Sequence, residues 1–137
     1  MITIVSLDAN VILRYFLADH EEFFRQTQVL FLSAQNGDIK LYVDEVILAE
    51  VVWTLTSFHH LLRSDFCSKL STIVSQPFVV TKNKKALLAA ISLYEQTNVD
   101  YVDAWLAAIS KTRKYQIATF DNHFKKLKAK LHTWYRC

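Results

Sequence analysis

The chain has 137 residues, 52% hydrophobic and 13% aromatic, with a net charge of +3. That length and composition suit one domain, residues 1 to 137, with a core that requires neither disulfides nor a structural metal. No apolar run reaches the roughly 18 to 20 residues of a membrane span and no signal peptide opens the chain, so a cytoplasmic protein with no membrane attachment is expected.

Read in chain order, Ile2 to Leu7 is a short β-branched and aliphatic run, the pattern of a strand buried on both faces. Helical spacing follows over Ala9 to Ala18, Glu21 to Gln35, Asp44 to His59, Ser64 to Ser75, Lys84 to Thr97, Tyr101 to Lys114 and Asn122 to Lys128. Strand-like pieces lie between them at Lys40 to Val43, Phe78 to Thr81, Gln116 to Thr119 and Leu131 to Trp134. One glycine, Gly37, and one proline, Pro77, leave no linker to divide the chain. Short strands alternating with longer helices predict an α/β fold, a parallel sheet with helices on both faces. Ligands in such sheets bind beyond the carboxyl ends of the strands.

Four acidic positions fall where that rule directs attention. Asp8 ends the first strand and opens a helix, so it is either a helix cap or the wall of a site. Asn10 follows two residues later and can orient a neighbouring carboxylate through its amide. Glu50 lies in VDEVILAEVVWTL, with Val46, Ile47, Trp53 and Thr54 on its side of the helix. A carboxylate in an apolar stripe needs an Arg or Lys partner or a bound cation if the stripe is buried. Asp103 lies in NVDYVDAWLAA, three residues after Asp100; both suit the first turn of a helix, where the helix dipole favours them. Asp121, in ATFDNHF, repeats the placement of Asp8 after a strand-like run.

Converging carboxylates repel one another unless a cation offsets their charge. An all-oxygen set suits Mg²⁺ or Mn²⁺, which also bind phosphate oxygens. The charge asymmetry complements this. Residues 1–68 hold four Lys or Arg against nine Asp or Glu, whereas residues 69–137 hold twelve against four. The basic stretches KTRKY (111 to 115) and KKLKAK (125 to 130) suit a polyanion, although a solvated helix face would look the same. Acidic cup, hard cation and basic flank together describe phosphodiester cleavage. The five histidines show no zinc spacing, and His123 alone stands near the proposed site. Cys67 and Cys137 show no metal or redox spacing.

SLDANVI, the Glu50 helix, DYVDAWLAA and ATFDNHF, in this order and spacing, resemble the PIN-domain ribonucleases, specifically the VapC-type toxins of toxin-antitoxin pairs. The resemblance spans essentially the whole chain. It implies a three-layer α/β/α sandwich with a short central parallel sheet, assembled as a homodimer. It also implies a divalent-metal-dependent endoribonuclease held inactive by a small antitoxin protein. Asp8, Glu50, Asp103 and Asp121 match the catalytic, metal-holding acids. Asn10 matches the polar residue of the first motif, Thr119 the hydroxyl residue of the last, and Asp100 a frequently acidic supporting position. Many relatives carry a further acid near Asn122 or His123; its lack here supports a second metal ion less than the first and leaves His123 as a candidate phosphate contact. The competing readings are a solitary RNA-processing nuclease, a non-catalytic PIN-like module that binds RNA or protein, and an aspartyl-phosphate phosphotransferase or phosphatase with Asp8 as nucleophile. Those phosphatases want a second Asp where this chain has Asn10.

Overall fold

The structure, a computed structural model, describes residues 1–134. Cys137 lies outside them. The elements in chain order are β1 (Thr3–Ser6), α1 (Ala9–Leu17), α2 (Glu21–Gln35), β2 (Ile39–Tyr42), α3 (Glu45–Ser57), α4 (Arg63–Ser75), β3 (Val79–Val80), α5 (Lys84–Gln96), α6 (Tyr101–Arg113) and α7 (His123–Lys126).

The helices begin where local chemistry starts them. Asp8 precedes α1 and accepts from the Ala9 N–H at 2.9 Å, Asp44 precedes α3 and accepts from Val46 N–H at 2.9 Å, and Asn83 precedes α5 and accepts from Ala86 N–H at 3.0 Å. Each satisfies a backbone donor that the first turn leaves without an intrahelical acceptor. Helix α1 and helix α6 both stop on a residue in the left-handed region, Ala18 at φ 52° and Lys114 at φ 60°, the usual way to turn a chain out of a helix.

Among the described residues the sheet is parallel and ordered β1-β2-β3, with Thr3 to Ser6 opposite Ile39 to Tyr42 and Leu41 opposite Val79. Helices flank it in the expected α/β/α sandwich. Leu41, Val43 and Val79 carry the sheet into a core that also contains Ile12 of α1, Leu48 and Leu55 of α3, Phe66 and Leu70 of α4, and Leu87 and Ile91 of α5. Burial of such side chains contributes about 1.5 to 3 kcal/mol each.

Two strand expectations change. Strand β1 forms an edge, and Thr3, Ile4 and Ser6 are exposed rather than buried on both faces. The runs at Gln116 to Thr119 and Leu131 to Trp134 do not extend the sheet; they meet each other in one parallel bridge, Ile117 opposite Leu131. Ile117 N–H donates to Lys130 O and His132 N–H donates to Ile117 O, both at 2.8 Å. Gln116 and Ala118 on either side are exposed, so one inward side chain anchors this piece, too little for a longer ladder. Ile117 instead joins Ala107, Phe124 and Leu127 in a second small core against α6. No helix among the described residues is long and apolar enough to cross a membrane.

Candidate functional site

Helix α6 presents the most developed polar constellation. Its first turn carries Asp103, and Asp100 occupies the N-cap position without a side-chain cap bond. Across from it, His123 at the start of α7 places Nε2 3.1 Å from Asp103 Oδ2. With an ionised Asp103 the imidazole donates, which sets the tautomer protonated at Nε2. Asp100, Asp103, His123 and Lys126 line one cavity, together with the backbone turn 97–99 that joins α5 to α6. A second cavity on the other side of Asp100 and Asp103 is walled by α3 through Ala49, Val52, Trp53 and Thr56. The acidic turn therefore stands between the two grooves.

Lys111 of α6 donates through Nζ to Leu127 O and ties the α7 segment down. In the preceding loop Thr119 Oγ1 accepts from Asp121 N–H at 3.0 Å, and Trp134 Nε1 donates to Thr119 O at 3.0 Å. The Thr119 hydroxyl thus shapes the loop that carries Asp121. The Asp121 side chain is exposed.

Asp8 stands just past the carboxyl end of β1 and caps α1. Asn10, the second residue of that helix, lines a largely apolar groove between α1 and α2 with Val11, Arg14 and Leu30. Glu50 is exposed on α3. The apolar stripe around it faces outward, with Val46 70% and Trp53 59% exposed, while Leu48, Val51, Val52 and Leu55 take the core. The cost of burying an unpaired charge consequently does not apply to Glu50, and its position requires no partner for stability.

Asp8, Glu50, Asp100 and Asp121 form no ion pair among the described residues; Asp103 meets only His123. Hard oxygen donors free of Lys or Arg are the right chemistry for a divalent cation. In this geometry, however, no group of three or more Asp, Glu, His or Cys side chains among the described residues lies close enough to hold one ion. The structure brings together Asp103, His123 and Asp100, and leaves Asp8, Glu50 and Asp121 on separate elements.

Two polar groups on the carboxyl rim of the sheet escaped the sequence reading. Asp44, just after β2, accepts from Tyr42 Oη at 3.0 Å and lies 3.8 Å from Lys82 Nζ, just after β3. The Val46 amide, with help from the Tyr42 hydroxyl, holds the Asp44 carboxyl below the usual carboxylate range. The Asp-Glu pair that opens α3 is a signal for the cap, but the Tyr42 and Lys82 partners become visible only when β2 and β3 lie side by side.

Comparison with known proteins adds what the geometry leaves open. A VapC ribonuclease of Aquifex aeolicus (strain VF5) is 26% identical over 122 residues, covering 88% of this chain and 90% of the relative. A solved structure of VapBC2 from Rickettsia felis, bound to a DNA fragment from its promoter, aligns with 96% of this chain and 99% of its own, at 16% identity and a TM-score of 0.41. Residues 5–130 match the PIN domain family, a span that runs from β1, through the acids after it and on α3 and α6, to the Asp121 loop; the chain belongs to the PIN domain family.

Proposed function

We propose that this protein is a divalent-metal-dependent endoribonuclease, with Asp8, Glu50, Asp103 and Asp121 as its Mg²⁺ or Mn²⁺ ligands. The observation that carries the reading is the set of carboxylates left without Lys or Arg partners among the described residues, at the positions where the PIN motifs resembled by this chain have acids. When bound, a divalent cation supplies positive charge that offsets the charge growing on a phosphodiester during displacement. The chain's own residues do the rest. His123 holds Asp103 at a fixed orientation, Thr119 holds the Asp121 loop, and Lys126 adds a positive charge to the cavity wall that Asp100 and Asp103 share.

Asp103→Asn and Asp8→Ala are each expected to reduce metal-dependent cleavage of a single-stranded RNA by at least about a hundredfold, with the far-ultraviolet spectrum unchanged. Full activity in either variant from a clean preparation overturns the site. The similarity to VapC ribonuclease extends the reading to a toxin that forms a homodimer and is restrained by a small antitoxin. Co-expression with the product of a short neighbouring reading frame tests this: a soluble complex with suppressed cleavage is expected, and a solitary processing nuclease would show neither. The separation of Asp8, Glu50 and Asp121 favours a second reading, a non-catalytic module that binds RNA. Titration with Mn²⁺ divides the two, because saturable binding lost in Asp103→Asn belongs only to the nuclease.

A further inference from the structure

Arg63, the first residue of α4, stands more than thirty residues away in sequence from the turn it organises. The two N–H groups of its Nη1 serve three backbone carbonyls, one of them shared: Tyr94 O at 2.8 Å, Thr97 O at 2.6 Å and Val99 O at 2.8 Å. The guanidinium also lies over the Tyr94 ring, 3.9 Å from its centroid, close enough for a cation–π attraction. Among the described residues it makes no ion pair with Asp or Glu. A charged group spent entirely on carbonyls needs a reason.

Helix α5 supplies that reason. Its last turn has no basic residue, and its C-cap, Thr97, is extended. The final carbonyls carry the negative end of the helix dipole and have no intrahelical donors. Arg63 brings in the missing cation from another helix. It then reaches one step further, to Val99, whose carbonyl immediately precedes Asp100, the N-cap of α6. One side chain therefore fixes both the end of α5 and the start of α6, and with it the rotation of the turn that carries Asp100 and Asp103. Tyr94 extends the support inward: its ring meets Tyr101 edge-on at 5.6 Å and Phe66 at 6.4 Å.

We infer that Arg63 is a positioning residue for the acidic turn, fixing where the first turn of α6 sets Asp100 and Asp103. The inference rests on the proposed nuclease reading for its consequence, and on the three carbonyl bonds for its geometry. Lysine replaces the guanidinium only in part, because an ammonium can donate to the carbonyls but lacks the flat face that lies over Tyr94.

The test is a Mn²⁺ titration of the full chain with the metal alone, in the absence of RNA, comparing wild type with Arg63→Met, Arg63→Lys and Val74→Ala. Val74 is buried on the same helix, and its truncation lowers thermal stability without touching the turn. Arg63→Met is expected to weaken Mn²⁺ affinity by about ten- to a hundredfold; Arg63→Lys is expected to weaken it by a smaller factor; Val74→Ala is expected to leave it unchanged. Wild-type affinity in Arg63→Met, or in Arg63→Lys should the methionine variant fail to fold, overturns the inference. So does an equal loss in Val74→Ala, which would make the effect one of general stability. If wild type itself shows no saturable Mn²⁺ binding, the nuclease reading fails, and amide hydrogen exchange decides on Arg63 separately. Faster exchange at residues 102–104 than in α4 of the same variant supports the clamp, and unchanged exchange there overturns it.

Discussion

Tyr101 opens α6 with its ring in the core, and its hydroxyl is buried without a hydrogen-bond partner among the described residues. Burial pushes its ionisation well above the ordinary tyrosine range. An unpaired buried hydroxyl costs about 1 to 3 kcal/mol of desolvation, so Tyr101→Phe is expected to leave the thermal midpoint unchanged or raise it; a clear fall would reveal a partner that the hydroxyl serves. Cys67, also buried, is pushed from 9.0 to about 11, chiefly by burial and then by the nearby Glu95 carboxylate, with Arg63 opposing. The sign follows from linkage. Above pH 9 the unfolded thiol loses its proton while the folded one keeps it, so this contribution to stability is present below pH 9 and is lost as pH rises through about 11. Urea midpoints measured from pH 8 to 11 are expected to fall, less steeply in Cys67→Ala. The same burial keeps the thiol protonated and slow toward alkylating reagents in the native state.

At the scale of elements, helix ends explain much of what was legible. The bounds read from apolar spacing and caps lie within two residues of those observed for every helix, because one glycine and one proline leave few alternative breaks. Helix α3 shows the limit of that reading. It is apolar on nearly every side, so periodicity cannot choose which stripe packs inward, and the stripe bearing Glu50 is the one left outside. The end of α1 yields a direct test. Ala18 adopts φ 52°, a region that penalises a Cβ, so Ala18→Gly is expected to stabilise the protein by about 0.5 to 1 kcal/mol in urea unfolding. Equal or lower stability would show that the glycine's unfolded-state entropy outweighs the relieved strain.

At the scale of the molecule, charge is segregated along the chain and the fold keeps part of that segregation beside the site. Lys126 lines the cavity of Asp100, Asp103 and His123, and Lys125, Lys128 and Lys130 are exposed around it in sequence. A polyanion held there releases counterions, so RNA affinity is expected to fall linearly on a log–log plot against salt, with a slope of about −0.7 per phosphate engaged. Lys126→Ala is expected to make that slope shallower by about one contact, measured by fluorescence anisotropy on a labelled RNA. An unchanged slope would place the RNA elsewhere.

Local physics determined a good deal by itself: the helix bounds, the β1 to β3 runs, the cap at Asp8, and the acids worth watching. Those depend on residues within one turn or one strand of each other, and on motifs that the PIN family match supports. Only the tertiary structure decided the rest. It turned Glu50 outward, paired the Gln116 to Thr119 run with Leu131 instead of the sheet, set His123 against Asp103, and brought Arg63 to the turn before Asp100. Each of these joins groups far apart in sequence, and no spacing rule reports a contact that depends on which faces of distant helices meet.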